Sequence, residues 1–308
     1  MTGEPTENGN ADPLAGRDAA ETDKATDMTL KVTGERFHPE NLGEIRQEHM
    51  HRYAWSSELV ADKRVVDIAS GEGFGSAMLA ENALHVTGLD RDRLAVNHAT
   101  RQYAEQTNLE FICTDAAATG LDDKSADAVV SFETIEHVAD QPAMLAEIDR
   151  ILRDDGFLVI SSPNRSIYSD RQNHDNPFHT RELNRDEFLD LLGARFPHIR
   201  LYGQRLAVAS ALLPDTPEDG TVSLFHDTDR PRRMASALSS TMYFVAVAAR
   251  SDAALPRTIP SMLVADNEDI YWRMRDHASE LHRLVEQLSN NFVLRRDAMR
   301  MIAASASK

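Results

Sequence analysis

The chain has 308 residues, of which 42% are hydrophobic, with one cysteine and a formal net charge of −17. That allows one large domain with appendages, and it argues against nucleic acid or anionic membrane as partners, since both need a basic face. The lone Cys113 forms no internal disulfide, which fits a reducing, cytoplasmic setting. No apolar run is long enough to span a bilayer, and no basic-then-apolar leader is visible.

Residues 1–29 are polar and acidic and are expected to be disordered. Residues 30–62 mix Phe37, Ile45, Tyr53, Trp55 and Leu59 with many charges, as in a segment that folds over a larger domain. Short apolar runs then follow at Arg64–Ala69, His85–Asp90, Leu109–Cys113, Ala128–Phe132 and Phe157–Ser162. Helical spacings lie between them. Gln141–Arg153 is one case, with Leu145, Ile148, Ile151 and Leu152 on one face, Asp140 as cap and Pro142 in the first turn. Strands alternating with helices predict an α/β fold with a parallel sheet and right-handed crossovers. A helix near Arg185–Arg195 and strands near Ile199–Arg205 and Met242–Ala249 complete the domain over residues 30–250, the last two strands pairing antiparallel at the edge.

Two polar insertions, at 164–184 and 207–240, follow strands and can overhang a site. The second holds His226, Arg230, Arg232 and Arg233, which touch an acceptor or belong to a solvated loop. The tail over 266–308 is expected to be helical. Its Tyr271, Met274, Ala278, Leu281, Val285, Leu288 and Phe292 repeat at spacings of three and four. Such a seam packs on its own domain or pairs two copies as a coiled coil, which makes a homodimer an expectation.

Ser70-Gly71-Glu72-Gly73-Phe74-Gly75 follows the first strand, where glycines let the backbone turn tightly and approach a ligand. Asp90 ends the second strand, placed to bond a ribose diol or to cap the next helix. Asp115 follows the third strand, placed to accept from an adenine amino group or to stabilise a turn.

VVDIASGEGFGS resembles the first motif of class I S-adenosylmethionine-dependent methyltransferases. GLD, CTDAA, DAVVSFETIEHV and ILRDDGFLVISSPN follow in that family's order. The resemblance covers about residues 45–205. It implies a Rossmann-like, doubly wound, mostly parallel seven-stranded sheet with S-adenosylmethionine as cofactor. Asp67, Gly71, Gly73 and Gly75 would hold the methionine part, Asp90 the ribose, and Asp115 with Ala116 the adenine. In Glu48–Tyr53, on an expected helix, Arg52 would pair with the methionine carboxylate or lie solvated on the surface.

An alcohol is a poor nucleophile near neutrality, so its methylation needs a base, a metal ion or both. Glu133-Thr134-Ile135-Glu136-His137 follows the fourth strand. If the chain turns helical there, Glu133 lies beside Glu136 and His137. These three, with His179 from Asn176-Pro177-Phe178-His179, suit Mg²⁺ or Mn²⁺. The set resembles that of small-RNA 2′-O-methyltransferases and the acidic pair with histidine of ubiquinone-biosynthesis O-methyltransferases. The other readings make His137 a lone base or give the group a structural role. Glu35-Arg36-Phe37 and the block at 176–182 resemble bacterial methyltransferases of glycan and polysaccharide assembly, so the expected acceptor is a sugar hydroxyl. A phenol or quinone precursor, and a non-catalytic scaffold that binds the cofactor, are the alternatives.

Overall fold

The computed structural model describes residues 43–171, 176–207, 225–226, 232–233, 240–258, 260–263, 274–285 and 287–288. The expected disorder at 1–29, most of the second insertion with Arg230, and the seam residues Tyr271 and Phe292 lie outside them.

Helix α1 (Glu44–Leu59) precedes β1 (Arg64–Ile68), α2 (Phe74–Ala80), β2 (His85–Asp90), α3 (Arg93–Gln102), β3 (Leu109–Cys113) and β4 (Ala126–Ser131). Then come α4 (Gln141–Ile151), β5 (Leu152–Pro163), the short α5 (Arg165–Tyr168), α6 (Arg185–Gly193) and β6 (His198–Gln204). A small hairpin of β7 (Phe225–His226) and β8 (Arg232–Arg233) leads to β9 (Tyr243–Ala249).

Seven strands form one sheet in the order β3-β2-β1-β4-β5-β9-β6, with β9 antiparallel to both its neighbours. The chain builds outward from β1 to β3 and then returns to place β4 on the other side of β1. This reversal opens a crevice at the carboxyl ends of β1 and β4, where sheets of this kind bind ligands. The expected antiparallel pair is present, but β9 sits between β5 and the edge strand β6.

Both faces of the sheet are buried, which is why its strands read as nearly continuous apolar runs. Val66, Ile68, Val129, Leu158 and Ile160 point to one face, under Met144, Leu145 and Ile148 of α4 and Phe188 of α6. Val65, Ala128, Val130, Phe157 and Val159 point to the other, under Tyr53 and Trp55 of α1 and Leu79 of α2. The side chain of Asp140 accepts the Ala143 N–H at 3.0 Å, and Pro142 occupies the first turn of α4. β5 starts at Leu152, directly after α4, five residues before its apolar run begins. Residues 274–285 are helical, and Met274, Leu281, Val285 and Leu288 of the seam are exposed. No helix among the described residues is long and apolar enough to cross a membrane.

Candidate functional site

The turn after β1 is built from left-handed residues. Ala69 has φ 62°, Gly71 56° and Gly73 84°, conformations that cost an L side chain about 1–3 kcal/mol and a glycine little. At Gly73 a Cβ would stand 2.5 Å from the Phe111 ring, and at Gly75 it would stand 2.1 Å from the Tyr53 ring. The missing side chain at Gly75 therefore lets α2 lie against α1.

Asp90 fastens this turn to β2. One carboxylate oxygen accepts the Gly71 N–H at 2.9 Å and the other the Asp92 N–H at 2.8 Å. Each oxygen keeps a lone pair for a diol. The capping role belongs to Asp92, whose side chain accepts the Leu94 N–H. Asp67 lies beneath the turn, fully buried, bonded by the Ser76 hydroxyl at 2.6 Å and the Tyr53 hydroxyl at 3.3 Å. Burial pushes its carboxyl up to about 7. It ties α1 to the first turn of α2 through these two hydroxyls. Asp115, at the end of β3, accepts the Ala117 N–H at 2.8 Å, and Ala116 beside it is half-buried. The turn-stabilising role of Asp115 is thus formed.

Arg52 does not lie solvated on the surface. Its side chain is 2% exposed and its Nη1 lies 2.8 Å from Glu133 Oε1. The same guanidinium donates to Gln204 Oε1 at 2.6 Å and Ser161 Oγ at 3.0 Å, and stacks over the Tyr243 ring at 4.7 Å. One arginine of α1 thereby joins the ends of β4, β5, β6 and β9.

That ion pair also decides what Glu133 does. The chain after β4 forms only a single 3₁₀ turn, Ile135–His137, and Glu133 precedes it with φ 47°. The helical face expected to align Glu133 with Glu136 and His137 is therefore absent. Glu133 turns to Arg52 and to the Ser161 hydroxyl, which donates to it at 2.6 Å.

The other three residues do meet. Ligand atoms of Glu136, His137 and His179 lie within 4.8 Å of one another. Glu136 is 1% exposed, and neither of its carboxylate oxygens has a hydrogen-bond partner among the described residues. Burial, with Glu133 nearby, pushes its carboxyl well above the usual range. His137 Nδ1 faces the Phe178 carbonyl at 3.0 Å. A carbonyl only accepts, so the proton belongs on Nδ1 and Nε2 keeps its lone pair. His179 Nδ1 pairs with Glu182 Oε1 at 2.6 Å, while its Nε2 faces the Asn176 amide at 3.0 Å. The two imidazoles meet edge to face, with centroids 4.8 Å apart. The backbone N–H groups of Thr180 and Arg181 both bond to the Glu136 carbonyl, which pins the first insertion over the β4 turn.

The sequence alone does not single out Glu48, Glu182 and Ser161. Glu48 is 5% exposed, and the Tyr243 hydroxyl bonds its carboxyl, which burial pushes up to about 7. Its sequence signal is its place four residues before Arg52, on the same face of α1.

Comparison with known proteins places residues 66–160 on a family model described as a methyltransferase domain. Over 175 residues the chain is 37% identical to a probable S-adenosylmethionine-dependent methyltransferase of Mycolicibacterium smegmatis, covering 55% of this chain and 66% of that one. A protein of the same description from Mycobacterium tuberculosis is 36% identical over 171 residues, covering 54% and 61%. A ubiquinone biosynthesis O-methyltransferase of Parvibaculum lavamentivorans is 29% identical over 136 residues, covering 43% and 54%. The chain thus spans less than two thirds of the length of these relatives.

Proposed function

We propose that the chain is an S-adenosylmethionine-dependent O-methyltransferase whose acceptor is a sugar hydroxyl of a glycan, polysaccharide or glycolipid intermediate. The observation that carries the cofactor is the glycine turn fastened to Asp90 at the switch point of the sheet. The turn offers a backbone without side chains, and Asp90 keeps the lone pairs that a ribose diol needs. The matched family model supports the same reading.

When bound, the cofactor supplies an electrophilic methyl group next to a good leaving sulfur. The protein must then align the acceptor oxygen and receive its proton. His137, in the 3₁₀ turn after β4, has its Nδ1 proton committed to the Phe178 carbonyl, and its Nε2 is the atom that takes the hydroxyl proton.

The donor set also fits a divalent ion. A buried carboxylate with two unpartnered oxygens beside two imidazoles costs several kcal/mol unless a cation or a proton answers it. Glu136, His137 and His179 would then hold the ion, His137 giving it the lone pair that otherwise takes the proton, with Glu182 behind His179 as the outer partner that orients a ligand imidazole. Two nitrogen donors suit Mn²⁺ better than Mg²⁺, which prefers oxygen. Such an ion would polarise a hydroxyl or grip a vicinal diol.

The test has two parts. Calorimetry with S-adenosylhomocysteine should show binding at the turn, and its absence in folded protein would end the reading. Labelled methyl transfer should then favour saccharides over phenols. The named ubiquinone relative supports the phenol as second reading, and transfer to catechols alone would establish it.

A further inference from the structure

Glu48 and Arg52 stand one helical turn apart on α1 and share Tyr243, whose ring lies under Arg52 and whose hydroxyl bonds Glu48. Arg52 faces Glu133. Glu48 lines a cleft of about 400 Å³ with Glu44, Ile167, Arg171, Arg205 and Leu206, a volume in the range of small-molecule sites. The walls differ in chemistry. The Glu48 carboxyl is buried and bonded by the Tyr243 hydroxyl, and at about 7 it is present near neutrality both as acceptor and as donor. Arg171 and Arg205 are exposed and have no acidic partner among the described residues. Ile167 and Leu206 add an apolar surface.

The cleft also adjoins the histidine cluster. Tyr243, which holds Glu48, lies 6.0 Å from the Tyr168 ring, and Tyr168 stacks on His179 at 5.6 Å. A ligand in the cleft is one aromatic pair away from Glu136, His137 and His179.

We infer that this cleft binds a sugar bearing an anionic group, with Glu48 on a ring hydroxyl and Arg171 with Arg205 on the anion. A neutral sugar would leave both guanidiniums, among the described residues, with water alone. A bare anion would use Arg171 and Arg205 but leave the Glu48 carboxyl without a hydroxyl to bond, beside a second acid, Glu44. A sugar phosphate or a uronic acid satisfies both walls. Guanidinium forks bind such oxyanions in pairs of bonds, and a carboxylate takes hydroxyl donors. The apolar face of a pyranose ring fits against Ile167 and Leu206. Only the step that makes this ligand the methyl acceptor rests on the methyl-transfer reading.

The experiment is calorimetric titration of the full chain with glucose 6-phosphate, glucuronate, glucose and inorganic phosphate, each with and without S-adenosylhomocysteine. At least one anionic sugar should bind about tenfold or more tightly than glucose or phosphate alone. The surface double variant Arg171→Ala/Arg205→Ala should lose about tenfold for that ligand. Glu48→Gln, isosteric and checked for folding by circular dichroism, should lose as much for the sugar but not for phosphate. Whichever anionic sugar wins names the source of the anion. The inference is overturned if neither anionic sugar binds, or if both variants bind it as the parent does. Binding of an anionic sugar without binding of S-adenosylhomocysteine would leave the subsite standing and end the methyl-transfer reading. The reverse result would remove the subsite alone.

Discussion

Arg52 Nη1 and Glu133 Oε1 lie 2.8 Å apart, an ion pair between the helix that covers the sheet and the left-handed residue that ends β4. Removing one partner of a buried pair leaves an unanswered charge and costs about 3–5 kcal/mol, less where water reaches the remaining group. Glu133 is 17% exposed. Arg52→Ala should therefore lower the urea unfolding free energy by about 2–3 kcal/mol. Because the guanidinium is already engaged by Glu133, Gln204 and Ser161, affinity for S-adenosylhomocysteine should change less than about threefold, under 1 kcal/mol. A hundredfold loss in a folded variant would make the cofactor carboxylate a partner of Arg52.

His137→Ala separates chemistry from cofactor binding. The imidazole stands after β4, on a different loop from the glycine turn after β1. Removing a proton acceptor typically costs 10²–10⁴ in rate, so turnover should fall by at least about a hundredfold. The dissociation constant for S-adenosylhomocysteine should stay within about twofold, since a larger change means the ring touches the cofactor. Steady-state kinetics and calorimetry on one preparation decide it, and near-normal turnover would remove His137 from the chemistry.

The parts of this site set by local rules were legible in the sequence. Apolar runs gave the strands, because both faces of the sheet are buried. The Asp140 cap and the glycines of the turn act over a few residues, and their spacing is their signature. Arg52 with Glu133 was not legible, because 81 positions separate them and the pair exists only once α1 crosses the ends of the strands. The same contact defeats the helix expected after β4, since a left-handed Glu133 withdraws its carboxylate from Glu136 and His137. His179 reaches the cluster through Thr180 and Arg181, whose N–H groups bond the Glu136 carbonyl. No periodicity reports such a bond, and only resemblance had pointed to His179. Glu48 has only its spacing of four to Arg52 along α1, which marks a shared face and no chemistry.

The three-residue cluster makes a prediction about metals that does not depend on turnover. Chelator-treated protein titrated with Mn²⁺ should gain thermal stability, by about 2.7 kcal/mol at an ion concentration a hundred times the dissociation constant. Glu136→Gln keeps the shape of the buried side chain, removes its charge and should abolish the gain. Glu133→Gln should leave it nearly intact, because that carboxylate serves Arg52. Equal loss in both variants would put Glu133 back among the ligands. No gain in the parent would leave His137 as a base acting alone.

Asp67 ties stability to pH. Its buried carboxyl keeps a proton up to about 7 in the folded chain, against an ordinary value of 3.8. Between those values the folded form binds more protons than the unfolded one, so unfolding free energy falls as pH rises from about 4 to 7 and then levels off. Every tenfold gain in proton affinity on folding is worth about 1.4 kcal/mol, so the full effect is a few kcal/mol. Asp67→Asn retains an acceptor for the Ser76 hydroxyl, which donates to the native carboxylate at 2.6 Å, and removes the titration. Glu48 and Glu136 titrate in both proteins, so their contributions cancel in the difference. The variant should therefore gain on the parent across that window, seen as diverging denaturant midpoints at pH 4.5 and 7.5. Parallel midpoints would mean that Asp67 is ionised throughout, with the Tyr53 and Ser76 hydroxyls sufficient to hold its charge.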